Sequence, residues 1–138
     1  MRTLLDRDAY LLWADVNDGT VTHRFAMYVE QAFRDWDVDC EHSRDGHDPK
    51  EIACGSRDDA EHGSRVFPDV IVHKRGRAEN LVVCELKKSN NPEPDSRDFE
   101  KLRACCSQLG DQHGVVAPLV VRSPEPAVAR AEFVYGYA

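Results

Sequence analysis

Phe25, Val29, Phe33 and Trp36 recur at i, i+4, i+8 and i+11, which places them on one stripe of a helix, with Thr22 ahead of them as the N-cap candidate. An earlier apolar group, Leu4, Leu5, Tyr10, Leu11 and Leu12, predicts a short first helix ending at the turn signal Asn17-Asp18-Gly19. Val38–His42 then alternates as a short strand. Residues 43–65 scatter Gly46, Pro49, Gly55 and Gly63 among many charges, which predicts an irregular excursion with little core. From there the period changes to that of strands. Phe67–His73 is entered through Pro68, residues 76–80 turn, and Leu81–Lys87 returns antiparallel. After a loop at 89–94, Phe99, Leu102, Cys106 and Leu109 mark a helix capped by Asp95 or Ser96 and ended by Gly110. Val115–Val121 is a further strand and Phe133-Val134-Tyr135 a last one. The fold class expected is α/β, a mixed central β-sheet flanked by helices in the order αβββαβ.

One strand of this series contains charge where a buried strand should not. Leu81 and Val83 point to one face of Leu81–Lys87 and Val82, Cys84 and Leu86 to the other, as in a strand covered on both sides. Glu85 and Lys87 interrupt the run on a shared face. A buried carboxylate costs several kcal/mol, roughly, unless a cation, a metal or hydrogen bonds compensate it. An ion pair with Lys87 at an emerging strand end is the plain solution. A second acid offers another. Asp69 sits where the preceding antiparallel strand begins, so it lies beside the end of the strand that bears Glu85. Two oxygen donors then converge within reach of one hard divalent cation, and Lys87 points at the water or phosphate that the cation holds.

Length and composition narrow the setting. The 138 residues make one domain, 1–138, and 41% hydrophobic content is that of an ordinary globule rather than a disordered chain. No apolar run approaches the roughly 18 residues of a spanning helix, and Arg2, Asp6, Arg7 and Asp8 break the start where a secretory signal would be apolar, so a cytoplasmic protein with no membrane partner is expected. Five cysteines without a C-x-x-C pair read as reduced thiols. Cys40, His42, His47, Cys54, His62 and His73 lack the paired spacing of a zinc site. The net charge is −7, with 16 acidic and 8 basic side chains in residues 1–69, yet residues 70–90 carry 5 basic against 2 acidic. That strip, His73-Lys74-Arg75-Gly76-Arg77 with Lys87-Lys88, suits either a solvated hairpin tip or a hold on a polyanion.

Pro68-Asp69, an intervening hairpin and Glu85-Leu86-Lys87 resemble the PD-(D/E)xK motif of the restriction-endonuclease-like nuclease superfamily, and the order of elements resembles its core over about residues 20–121. Small uncharacterised bacterial members are the most similar in layout. The resemblance implies that Asp69 and Glu85 ligate Mg²⁺ or Mn²⁺, with the Leu86 carbonyl as a candidate further ligand. It also implies that Lys87 orients the attacking water and that DNA is the substrate. Many members add a residue from the first core helix. His23 in the first predicted turn lies on the sheet edge shared with Asp69, whereas Glu30 is about 10 Å further along. Glu41, at the end of the first strand, falls on the same edge. Asp98, Lys101 and Gln108 are polar on the helix expected beside the site, with Lys101 a candidate phosphate contact. Gln108 is followed four positions on by Gln112, so the Gln-x-x-x-Tyr of RecB-type domains is missing. A homodimer would let two sites address both strands of a duplex. Two alternatives stand beside the metal-dependent nuclease: a catalytically silent nucleic-acid-binding relative, and an interaction module in which Asp69, Glu85 and Lys87 form a structural ion-pair cluster.

Overall fold

The computed structural model describes residues 1–40, 68–110 and 112–125, together with the strand segments 44–45, 48–49, 51–52, 64–65, 127–128 and 132–135. Helices α1 (Arg2–Arg7), α2 (Ala9–Trp13) and α3 (Asp18–Ala32) precede strands β1 (Asp37–Cys40), β2 (Val70–Lys74) and β3 (Glu79–Lys88). Helix α4 (Asp95–Leu109) leads to β4 (His113–Val120), β5 (Ala127–Val128) and β6 (Glu132–Tyr135). Two short ladders, 44–45 with 48–49 and 51–52 with 64–65, lie in the stretch expected to be irregular.

The sheet runs β1-β2-β3-β4-β6, with β5 also paired to β4. β1, β2 and β3 form an antiparallel meander, while β3 and β4 are parallel. A parallel neighbour needs a crossover rather than a hairpin, and α4 supplies it. The architecture is therefore α/β, a mixed open sheet flanked by helices. No helix among the described residues is long and apolar enough to cross a membrane.

Two apolar layers follow from the alternation of the strands. Val70, Val72 and Cys84 pack with Leu4, Leu12, Val21 and Phe25 beneath α1–α3. Val83 and Val116 pack on the other face with Leu102 and Cys105 of α4. Cys105 and Cys106 are both buried in α4. Leu81 departs from its expected face. Val72 pairs with Val82 but His73 with Asn80, leaving Leu81 as the extra residue of a β-bulge, and it joins Val82 in the layer under α1–α3.

The helix ends differ from those the sequence predicts. The expected single first helix is two short ones, and α3 begins at Asp18 rather than after Thr22. Asn17 Oδ1 accepts a hydrogen bond from the Thr20 amide at 2.8 Å, making Asn17 the N-cap, while Thr22 is buried inside the helix. α4 starts at Asp95 itself, with Pro94 rather than Asp95 or Ser96 in the cap position, and Gly110 ends it in a left-handed conformation with φ of 73°.

Candidate functional site

Val70 pairs with Cys84, so the next position outward sets Asp69 opposite Glu85 on the same face of the ladder. Asp69 follows Pro68, which has no amide proton to give. Across the ladder, Asp69 Oδ2 accepts a hydrogen bond from the Leu86 amide at 2.7 Å. Glu85 is only 5% exposed, with Lys101 Nζ 2.7 Å from its Oε1.

Burial, and then the charge of Asp69, push the Glu85 carboxyl up to about 7, against the pull of Lys101. Burial also holds Asp69 above its ordinary value, only partly offset by the Leu86 amide and the Lys101 charge. Two carboxylates are thus confined together where β2 begins and β3 runs out, with less positive charge than would ionise both comfortably. A divalent cation held there would relieve that situation, and oxygen donors are the kind that Mg²⁺ or Mn²⁺ takes. Among the described residues no three His, Cys, Asp or Glu side chains form a metal-binding group. Two carboxylates fit a Mg²⁺-type ion that keeps most of its coordination for water and phosphate.

Lys87 is as buried as Glu85 but turned to other partners. Its Nζ donates to the Glu93 carbonyl at 2.6 Å and to Asp98 Oδ2 at 2.9 Å, and lies 3.1 Å from Asp95 Oδ1. Burial works against its charge, but Asp98 and Asp95 hold the ammonium above its ordinary value. Glu85 and Lys87 therefore share a face, as expected, yet each finds its counter-charge on α4 rather than in the other.

The remaining candidates separate. His23 is exposed and, with α3 starting at Asp18, sits in the second turn rather than the first. Glu30 is exposed near the far end of the same helix, and Glu41 lies outside the described residues. The residue at the start of α3 is Asp18. Its Oδ1 lies 2.9 Å from Lys88 Nζ, and its charge helps to raise Asp69. Asp15, 3.0 Å from the same ammonium, was not singled out from the sequence either. Asn17-Asp18-Gly19 carries a turn signal and an N-cap signal at once, and only the second would have drawn attention to Asp18.

The basic strip is largely spent on local acids. Arg75 grips Asp39 through Nε at 2.8 Å and Nη2 at 2.6 Å, with the buried His73 Nε2 also 2.8 Å from Asp39 Oδ2. These contacts, led by Arg75, hold the Asp39 carboxyl down at about 2. Lys74 donates to the Asp35 carbonyl and lies over Trp36, and Arg77 reaches Glu79. A cavity of about 810 Å³ lies on the opposite face, lined mainly by apolar residues such as Phe25, Phe33, Val72 and Val115, and includes none of Asp69, Glu85, Lys87 or Lys101. Comparison with protein-family models, curated proteins and solved structures finds no match.

Proposed function

We propose that this chain is a metal-dependent nuclease that hydrolyses DNA phosphodiester bonds, using Asp69 and Glu85 to hold Mg²⁺ or Mn²⁺, with the Leu86 carbonyl as a further donor. The observation that carries this reading is the placement of Asp69 opposite Glu85, two buried or half-buried acids held above their ordinary values at one sheet edge. Such confinement is costly, and acids held this way beside a charge partner mark a candidate functional site. The motif resemblance and the αβββαβ order support the same reading. When bound, the cation supplies an acidified water and charge stabilisation for phosphate and leaving group.

The residues themselves do three things. Asp69 is fixed by the Leu86 amide, so its carboxylate cannot swing into solvent. Glu85 is held rigid by burial and by Lys101. A lysine ammonium beside them offsets the added charge of the phosphate. In the overall reaction the water oxygen bonds to phosphorus as the P–O bond to the sugar breaks, and the leaving alkoxide takes up a proton to match the one the water gives up.

A specific observation favours a second reading, a catalytically silent interaction module with the same fold. Lys87, Lys88 and Lys101 all already carry acidic partners, which is what a structural ion-pair cluster needs. Titration calorimetry with Mn²⁺ separates the two. The nuclease reading expects one site in wild type and at least about a tenfold loss of affinity in Asp69→Ala. Absence of Mn²⁺ binding to a folded wild-type protein would favour the module.

A further inference from the structure

Two ion pairs cross between β3 and α4. Glu85 of the strand meets Lys101 of the helix at 2.7 Å, and Lys87 of the strand meets Asp98 of the helix at 2.9 Å. Lys101 and Asp98 are three residues apart on α4, hence on one face, and Glu85 and Lys87 are two apart on β3, so the pairs stack as rungs. Each acid of one element is answered by a base of the other.

The two lysines differ in where they stand relative to the carboxylate pair. An ammonium has three protons to donate. Lys87 has three oxygen partners within 3.1 Å: the Glu93 carbonyl, Asp98 and Asp95. All three belong to α4's first turn or the residues leading into it, so Lys87 fastens the start of that helix to the sheet. To reach a water or phosphate at the carboxylate pair it would have to surrender those bonds. Lys101 already stands at the pair, its Nζ 2.7 Å from Glu85 Oε1.

We propose that Lys101 on α4, rather than Lys87 on β3, is the lysine that faces the scissile phosphate and attacking water beside Asp69 and Glu85, and that Lys87 is a strut for α4. This rests on the nuclease reading and deepens it. The site then draws on three segments, β2, β3 and α4, and the lysine of the Glu-x-Lys sequence has a structural task.

The test compares wild type, Lys101→Met, Lys101→Arg and Lys87→Met in plasmid cleavage, Mn²⁺ calorimetry and thermal melting. Lys101→Met is expected to cut at least about 100-fold more slowly than wild type, with Lys101→Arg recovering part of the rate. It should bind Mn²⁺ at least as tightly as wild type, because the cation that competes for Glu85 is gone. Lys87→Met is expected to melt at lower temperature yet, where folded, to cut at least about tenfold faster than Lys101→Met. If Lys87→Met does not fold, Asp98→Asn loosens the same strut while leaving both lysines in place, and the same comparison applies. A wild-type enzyme that cuts while Lys101→Met cuts equally well overturns the assignment of Lys101 and leaves the nuclease reading standing. A folded wild type that neither binds Mn²⁺ nor cuts overturns both.

Discussion

Glu85 carries a carboxyl inside a strand, flanked by Asp69 and Asp98 and answered by Lys101. Its value of about 7 lies above the ordinary 4.5, so the folded protein binds this proton more tightly than the unfolded chain does. Stability from that proton is fully present below about pH 4.5 and is lost as pH rises through 7, an effect of about 3 kcal/mol at most. Urea midpoints should therefore fall between pH 5 and pH 8.5 in wild type, and the slope should flatten in Glu85→Gln; a wild-type midpoint that rises over this range would contradict the assignment. Asp39 has the opposite sign. Its depressed carboxyl adds stability above about pH 4 that is lost as pH falls through 2. Asp39→Asn, which weakens the Arg75 grip and the contact to buried His73, should cost about 1–2 kcal/mol at pH 7 by urea unfolding. At this scale Asp69 and Glu85 were legible because a hairpin's pleat fixes which residues oppose one another. The partners of Lys87 were not, since they depend on how the 89–94 loop folds the acidic start of α4 back over the strand.

The start of α3 shows how a small boundary error displaces a candidate. The apolar stripe from Phe25 to Trp36 finds the helix but overruns its end, since α3 stops at Ala32 and Phe33 and Trp36 lie beyond it, and it leaves the first turn open, because Asn17-Asp18-Gly19 also suits a turn. Capping by Asn17 brings Asp18 into the first turn, beside Lys88 and within the field of Asp69, and moves His23 away from the end. Asn17→Ala should cost about 1 kcal/mol through the lost cap. By loosening the first turn it should also speed hydrogen exchange at Thr20 and Val21 more than at Phe25; uniform exchange across the helix would show that the cap does not control this end. α4 was legible at both ends, since an acidic start and a terminal glycine are signals that the tertiary structure has no reason to override. The bulge at Leu81 carried no such signal, because Leu81 and Val82 are both apolar and only the pairing shows which is extra.

Over the whole molecule, the order helix, three-stranded meander, helix, strand was readable from hydrophobic period alone. Parallel pairing of β3 with β4 follows from the α4 crossover between them. The charge distribution was readable as composition and misleading as surface, because the basic strip at 73–77 is answered by Asp37, Asp39 and Glu79. With net −7 and the cations of this strip so engaged, the strip has little general attraction for a polyanion, so the proposed nuclease reading puts any hold on DNA at the Asp69–Glu85 pair and its immediate surroundings. Cleavage of plasmid and single-stranded DNA by wild type and Asp69→Asn, each with Mg²⁺, with Mn²⁺ and with EDTA, tests this most directly. Wild type should cut with either metal and not with EDTA, and the folded variant should cut at least about 100-fold more slowly. Absence of cutting under every condition, cutting that survives EDTA, or an Asp69→Asn protein as active as wild type would contradict the nuclease reading.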